Sequence, residues 1–379
     1  MGAIENQEAW EEYRAREMHE VTPLLEELGI VLDEAQVHIG GERYLMSGHV
    51  LHLSGGRERR GSSHKLVLTG HKDDERVVVK TSADPAGADE IRHERAARDL
   101  LHKLDFASRA FYSPREILFV ERNPRVLSVT EYIEQDKHFI ERPLEEQFFL
   151  ALRALEAQEG AHATTHAHAA SIQDVFGMTG AAEYLRAFES FRQRITVHDR
   201  DNHELADAFE KAGAFLREHR TIIERYCGFL THHDFFPHNL RVRGRELYLL
   251  DYSAVYFGNK YESWARFLNY MLQFSPALEK SLTAYVRDNR GPQEYLCLRL
   301  MRVYKIGFLL QFYAGNLPKT SGNLHALVRM RIAFWTKALM AMTNDAVIPQ
   351  EDVDRFIREQ EVLRSHEERA RQREVSSSS

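Results

Sequence analysis

The feature that most constrains this chain is a change of pattern along its length. Between residues 37 and 134, short segments rich in branched apolar residues alternate with breaks rich in glycine, aspartate and serine. Such segments are typical of antiparallel strands joined by hairpins. From residue 135 onward, apolar residues recur mostly at helical spacing. A small β-rich part followed by a large helical part predicts an α+β fold with two lobes.

The pattern also predicts how the chain is organised. It divides the sequence into a helical extension at 1–36, a small lobe at 37–134, a large lobe at 135–350 and a charged helical tail at 351–379. Gly29 is a plausible end for the first helix. One helix over Ala88–Leu104 belongs to the small lobe, and two strand-like segments, Gly228–Leu240 and Leu247–Tyr252, interrupt the helical part and are predicted to form a single β-hairpin. A cleft between two lobes is a natural ligand site.

Composition excludes several classes of protein. Fifty Lys and Arg residues against 57 Asp and Glu residues give a net charge of −7, so no overall basic field favours nucleic-acid binding. No apolar run reaches the roughly 18–20 residues that span a bilayer, and the glutamate-rich start is unlike a targeting peptide. Two isolated cysteines, Cys227 and Cys297, fit a reducing compartment. We therefore expect a cytoplasmic protein with neither a membrane nor a nucleic-acid partner.

The strand-like pair in the large lobe carries the residues best suited to chemistry. Asp234 and Asn239 are five positions apart with Pro237 between them, and Asp251 ends the second segment. A loop and a neighbouring strand end can bring these side chains to one point. Two carboxylates and an amide oxygen suit Mg²⁺, which prefers hard oxygen ligands and leaves room for phosphate oxygens. Each residue alone would most often be a turn or capping residue, but their order after His232 favours a shared site.

The segment His232-x-Asp234-x₄-Asn239 resembles the catalytic loop of the protein-kinase-like fold, and Asp251 falls where the metal-binding aspartate of that fold follows. Asp251 is followed by tyrosine and serine, without the glycine of protein kinases. The chain is therefore similar to the aminoglycoside phosphotransferase and choline kinase branch. The resemblance covers residues 40–270 in the order of elements. It implies a bilobal kinase-like fold, with a small antiparallel β lobe that contains one helix and a large, mainly helical lobe.

The resemblance implies a nucleotide site in the small lobe. Lys80, which closes the third strand candidate, would hold the α- and β-phosphates. A helical glutamate would orient it, with Glu94 as the choice and Glu90, one turn earlier, as the rival. Further nucleotide contacts would come from the loop over the phosphates and from the connector between the lobes, at Ser54, Gly55, Gly56, Glu131 and Ile133. Taken singly, such residues are more often solvated, in a hairpin turn or in strand core.

The implied activity is that of a small-molecule kinase, which moves the γ-phosphoryl of ATP to a hydroxyl of a small acceptor and depends on Mg²⁺. Asp234 would accept the proton of that hydroxyl, while Asn239 and Asp251 would hold the metal. GTP remains an alternative donor. The alternative function is a catalytically inactive kinase-fold scaffold that binds a nucleotide or a partner. A protein kinase is disfavoured because no A-P-E segment follows Asp251 within reach.

Three further patterns leave alternatives open. Ser263 stands where this branch usually has a structural aspartate, and His233 replaces a small residue. The acidic residues between 199 and 207 would suit a cationic acceptor, although exposed helix charges are common. His162 and His166 would share a helix face and could hold a transition metal, but no glutamate or cysteine accompanies them, so a structural role is favoured for this segment, which also contains His168.

Overall fold

A computed structural model of the chain describes residues 2–33, 51–53, 57–59, 65–103, 112–160 and 166–364. Two helices and seven strands precede the connector between the lobes. They are α1 (Gly2–Glu27), β1 (Ile30–Leu32), β2 (Leu51–Leu53), β3 (Arg57–Arg59), β4 (Leu66–Lys72), β5 (Glu75–Ser82), α2 (Pro85–Lys103), β6 (Glu116–Arg122) and β7 (Arg125–Glu131). Five of the strands form one antiparallel sheet in the order β1-β4-β5-β7-β6, and β2 pairs with β3 separately.

The sheet of the small lobe lies between two helices. Successive side chains of each strand point to opposite faces, so each strand can pack against both helices. Val77 and Val79 of β5 are fully buried and pack with Val21 and Leu25 of α1. The opposite face of the sheet meets α2, where Ile91 joins a second apolar cluster. A strand covered on both faces explains the run of three valines in β5.

The first helix is shorter than the predicted extension. It ends at Glu27, and Gly29 follows with a φ of 70°, a left-handed conformation that glycine adopts without a steric penalty. Ile30–Leu32 then forms the edge strand of the sheet and pairs with β4. The chain before residue 33 therefore contributes both a helix and a strand to the small lobe.

The large lobe is built on helices, as predicted. They are α3 (Leu144–Glu159), α4 (His166–Val175), α5 (Ala181–His198), α6 (His203–Glu218), α7 (Arg220–Arg225), α8 (Glu262–Phe274), α9 (Pro276–Asn289), α10 (Pro292–Asn316), α11 (Gly322–Thr343) and α12 (Gln350–Leu363). Most apolar residues of α10 are buried, and α10 packs against α5, α8 and α11. No helix in the described part of the chain is long and apolar enough to cross a membrane.

The strand-like interruption forms two small sheets instead of a single hairpin. The first segment divides into β8 (Phe229–His232) and β9 (Leu240–Arg243), separated by a loop and a short 3-10 turn. β9 pairs with β10 (Glu246–Leu249), whereas β8 pairs with β11 (Val255–Gly258). Both sheets are antiparallel. The loop after β8 and the turn after β10 lie side by side, because the N–H of Leu250 donates to the backbone oxygen of Asn239.

A buried ion pair fastens α1 to the sheet and gives a first prediction. Arg125 of β7 donates to Glu17 at 2.6 Å and to Glu20 at 2.7 Å. Glu17 is buried, whereas half of the Glu20 side chain is exposed. We expect Glu17→Gln to lower the free energy of unfolding by about 3 kcal/mol, because it leaves a buried guanidinium poorly compensated. The matched variant Glu20→Gln should cost less than about 1 kcal/mol.

Urea unfolding of both variants measures the difference. Equal losses in the two variants would show that α1 is not anchored through the buried glutamate.

Candidate active site

His232, at the end of β8, braces the loop that follows it. The side chain is 1% exposed; its Nε2 lies 3.2 Å from the carbonyl oxygen of Leu250, and its Nδ1 accepts the backbone N–H of Asp234 at 3.2 Å. Burial lowers the pKa of His232 below its ordinary value, although Asp251 and Asp234 oppose that effect. A neutral ring protonated on Nε2 satisfies both contacts, since it can donate to Leu250 and accept from Asp234.

Asn239 ties the far end of the loop to its middle and to the turn after β10. Its Nδ2 donates to the backbone oxygen of Asp234 at 2.9 Å. Its own backbone oxygen accepts the N–H of Leu250 at 2.8 Å, one residue before Asp251. These contacts bring the predicted Asp234, Asn239 and Asp251 to one place. The side-chain oxygen Oδ1 is the atom with which Asn239 would bind a cation, because the amide nitrogen only donates.

The carboxylate of Asp234 is held by an arginine that sequence analysis did not identify. Arg266 of α8 donates to Oδ1 from Nε at 2.8 Å and from Nη2 at 2.6 Å. The same guanidinium lies 4.9 Å from the ring centroid of Phe236. About a third of the Asp234 side chain, 34%, stays exposed. The arginine therefore orients the carboxylate without covering it.

Asp251 sits at a strained turn between β10 and β11. Its backbone is left-handed, with φ 57° and ψ 60°, a conformation that few non-glycine residues adopt and that aspartate and asparagine adopt more often than most. Its Oδ1 accepts the hydroxyl of Ser253 at 2.6 Å. Burial alone raises the pKa of Asp251, but the nearby Lys65 and Lys80 outweigh it and hold the pKa well below its usual range. The carboxylate is therefore ionised at neutral pH.

The small lobe places its lysine against one of the two candidate glutamates. The Nζ of Lys80 lies 2.7 Å from both carboxylate oxygens of Glu94. Glu90, the rival, pairs with Lys65 instead. The hydroxyl oxygen of Ser253, which donates to Asp251, also lies 3.3 Å from the carboxylate of Glu90, so α2 contacts the turn that carries Asp251.

Ser263 takes over a supporting role at the position where an aspartate is usual. Its hydroxyl oxygen accepts the backbone N–H of His232 at 2.8 Å and lies 2.9 Å from the hydroxyl of Thr231. It donates to Gln158 of α3 at 2.6 Å. A neutral hydroxyl therefore satisfies the buried end of β8, and no charge is introduced there.

The preceding residue supplies the charge behind the loop. Glu262 is fully buried and accepts bonds from Tyr184 at 2.5 Å, from Lys305 at 3.0 Å and from Tyr256. Lys305 also donates to the backbone oxygen of His233 at 2.8 Å. Burial alone raises the pKa of Glu262, but Lys305 and His233 outweigh it, and the pKa lies well below its usual range. This ion pair holds the loop from beneath.

The predicted connector begins at the end of β7, where Glu131 contacts one residue before β6 and one residue of β9. Glu131 accepts the backbone N–H of Arg115 at 3.0 Å and pairs with Arg243 at 3.3 Å. Ile133 is 4% exposed just beyond the strand. The nucleotide contacts assigned to these two residues stay predictions. Three further predicted contacts lie outside the described residues: Ser54, Gly55 and Gly56.

The donor set fits a metal that is also bound by a ligand's oxygens. Asp251 presents an ionised carboxylate and Asn239 an amide oxygen, both hard donors of the kind that Mg²⁺ prefers. Among the residues that the structure describes, no cluster of three or more His, Cys, Asp or Glu side chains is arranged to hold a metal ion. Two protein donors suit a cation that completes its shell with phosphate and water oxygens.

Among the remaining candidates, Asp199 is engaged with other residues. His162 lies outside the described residues. Asp199 is buried, pairs with Arg329 at 2.6 Å and accepts a bond from Asn202 at 3.0 Å. Since Asp199 is already compensated, it stabilises the start of α6, and a role in binding a cationic acceptor stays a prediction for its exposed neighbours.

Comparison with solved structures shows the fold. The chain has the protein-kinase-like fold of the aminoglycoside phosphotransferases. A thermostable mutant of APH(4)-Ia in its apo form superposes with a TM-score of 0.55 at 14% identity, over 83% of this chain and 97% of that one. The complex of APH(2")-IIia with GDP and kanamycin superposes with a TM-score of 0.54 at 13% identity, over 87% and 100%. A GDP complex of a mutant aminoglycoside 2'-phosphotransferase-IIIa gives 0.55 at 13% identity, over 86% and 97%.

Sequence comparison adds no family assignment. No protein-family model matches the chain. No curated protein matches it either.

The buried glutamate beneath the loop predicts a pH dependence of stability. The pKa of Glu262 in the folded chain lies below its ordinary value of 4.5. Its contribution is therefore complete above pH 4.5 and is lost as the pH falls toward the folded pKa. We expect Glu262→Gln to cost about 3 kcal/mol at pH 7 and progressively less below pH 4.5. Urea unfolding of the native chain and the variant across this range measures the gap.

The exposed Glu218 of α6 supplies a matched control, since Glu218→Gln should change stability by less than about 0.5 kcal/mol. A gap between native chain and Glu262→Gln that stays constant down to pH 3 would contradict the ionised, buried pair.

Proposed function

We propose that this chain is a small-molecule kinase that transfers the γ-phosphoryl of ATP to a hydroxyl of a small acceptor, with Mg²⁺. The observation that carries the proposal is the convergence at one place of a lysine–glutamate pair, Lys80 and Glu94, and two aspartates. Lys80 is close enough to Asp251 to lower its pKa, although they belong to different lobes. A scaffold without catalysis would not need an accessible Asp234 carboxylate held by Arg266 as well.

Asp234 would orient the acceptor hydroxyl and take its proton. As the hydroxyl oxygen bonds to the γ-phosphorus, the bond from that phosphorus to the β–γ bridging oxygen breaks and ADP leaves. The two bonds from Arg266 fix Oδ1, so the carboxylate is already positioned before the acceptor arrives. His232 fixes the backbone of the same residue from the other side.

Lys80 would hold the α- and β-phosphates, with Glu94 restricting its side chain. Asn239 through Oδ1 and the ionised Asp251 would hold Mg²⁺. When bound, Mg²⁺ would neutralise charge on the phosphate oxygens. The connector at Glu131 and Ile133 would contribute to the nucleotide pocket. Phosphoryl transfer depends mainly on positioning and charge neutralisation, and these residues are of the types that provide both.

The comparisons support the substrate classes only by analogy. A ternary complex of an APH(4)-Ia mutant contains AMP-PNP and hygromycin B, and the APH(2")-IIia complex contains GDP and kanamycin. They support a nucleoside triphosphate donor, with GTP as the alternative to ATP, and a hydroxyl-bearing small molecule as the acceptor. The two free cysteines, Cys227 and Cys297, fit a reaction in the cytoplasm.

The proposed base predicts a clear effect on catalysis. We expect Asp234→Asn to lower turnover by about 10²–10⁴-fold, because proton acceptance is lost, while ATP affinity changes little. The matched control is Asp288→Asn, at an exposed aspartate on α9, which should keep native turnover. Phosphate transfer from radiolabelled ATP to a panel of hydroxyl compounds measures the first effect. Native turnover in Asp234→Asn would refute the assigned base.

The metal site predicts a ligand-dependent gain in stability. ATP with Mg²⁺ should raise the melting temperature of the native chain. At a ligand concentration of 100 times Kd, the free energy of unfolding should rise by about 2.7 kcal/mol. EDTA should remove most of the gain, and Asp251→Ala should not show it. Thermal unfolding with ATP and with GTP measures both effects. No shift with either nucleotide would overturn the nucleotide site and the kinase assignment with it.

The scaffold alternative gives a different pattern. A catalytically inactive chain that binds nucleotide would show the thermal shift but no phosphate transfer to any acceptor. The same pair of assays therefore separates the two functions.

A further inference from the structure

A second lysine–glutamate pair lies beside the first. Lys65, just before β4, pairs with Glu90, while Lys80 of β5 pairs with Glu94. The two glutamates are four positions apart on α2 and therefore lie on one helix face. The side chains of the two lysines are equally accessible, at 21% and 20%. Two neighbouring segments of the sheet therefore place two similar lysines against one face of α2.

Strand register explains why both lysines point the same way. In the antiparallel pairing of β4 with β5, Val67 is opposite Lys80. Directly opposed residues lie on the same face of a sheet, and so do residues two apart along a strand. Lys65 is two positions before Val67, so it lies on the face of Lys80, the face covered by α2. A shift of one residue would have turned it toward α1.

A serine links the partner of Lys65 to the aspartate of the other lobe. The hydroxyl of Ser253 donates to Asp251 at 2.6 Å, and its oxygen lies 3.3 Å from the carboxylate of Glu90, the partner of Lys65. Burial alone lowers the pKa of Lys65, but Glu90, Asp251 and Glu94 outweigh it and raise the pKa. Lys65 is therefore predominantly protonated at neutral pH.

We propose that Lys65 is a second phosphate-binding lysine, held by Glu90 as Lys80 is held by Glu94. This inference rests on the proposed function, because it concerns the same nucleotide site. The ligand chemistry is the polyphosphate of a nucleoside di- or triphosphate. The affinity for the nucleoside alone should not depend on Lys65, since a cation near Asp251 lies at the phosphate end of the site.

The competing interpretation is a structural ion pair that only joins β4 to α2. An ion pair of that kind would influence the stability of the small lobe and leave the affinity for phosphates unchanged. Partial exposure and the proximity of Asp251 favour a ligand role, since a purely structural pair needs neither.

Calorimetric titration of the native chain with ATP, ADP and adenosine tests the proposal. We expect Lys65→Met to weaken ATP and ADP about 10- to 100-fold, the usual effect of losing a charge-assisted hydrogen bond, and to leave adenosine within twofold. Lys80→Met should behave similarly, and the double variant should weaken ATP further. Lys72→Met is the matched control, because Lys72 ends the same strand and donates to the carbonyl oxygen of Leu28 at 2.8 Å. It should bind all three compounds as the native chain does.

The outcomes separate the two proposals. Native ATP affinity in a folded Lys65→Met variant overturns this inference and leaves the proposed function intact. Equal weakening of ATP and adenosine also overturns it, because that pattern indicates damage to the lobe. No ATP binding by the native chain overturns the proposed function and this inference together.

A second measurement uses the native chain, so it does not depend on whether the variant folds. An acyl-phosphate derivative of ATP transfers its acyl group to the unprotonated amine of a lysine that contacts the phosphates; an amide bond forms, the nitrogen loses a proton to water, the acyl–phosphate bond breaks and ATP leaves. Peptide mass spectrometry should find the acyl group on both Lys65 and Lys80, and excess ATP should suppress both. Labelling of Lys80 alone would overturn the proposal.

Discussion

Three carboxylates, Glu90, Glu94 and Asp251, share a confined space between the two lobes, and their mutual repulsion must be compensated there. Like charges at short range in a low-dielectric environment cannot all stay ionised without cations. Lys65 and Lys80 supply them, from adjacent strands of the small lobe. Because the carboxylates come from α2 and from the turn after β10, the same compensation fastens the sheet, the helix and the large lobe around one site.

The loop of the large lobe depends on a second set of buried polar contacts. Desolvated polar groups must be hydrogen-bonded, and a buried charge must be paired. Ser263 satisfies the backbone of β8, and the pair of Glu262 with Lys305 holds the carbonyl oxygen of His233. These buried contacts from α8 and α10 therefore hold the loop in position. Arg266 projects from the same helix as Ser263 and Glu262, so α8 both supports the loop and orients Asp234.

The predictable part of the molecule is the part that depends on local spacing. The two-lobe α+β fold follows from the change of apolar period, and the fold comparison shows it. The loop residues from His232 to Asn239 could be identified because their order and spacing resemble the catalytic loop of the protein-kinase-like fold. The pairing of the strand-like segments was predicted less well. Their order along the chain suggested a single hairpin, whereas β8 pairs with β11 across an intervening hairpin.

The sequence by itself determined the periodicity of the elements, the end of α1 just before Gly29 and the spacing of the loop's polar residues, because each depends on neighbours along the chain. The tertiary structure decided which distant side chains meet. Arg266 is 32 positions from Asp234, and Lys305 is 43 positions from Glu262. Such pairs leave no local pattern, since their energy arises only after packing has removed water from around them. The choice of Glu94 over Glu90 for Lys80 was decided in the same way, by strand register and helix phase together.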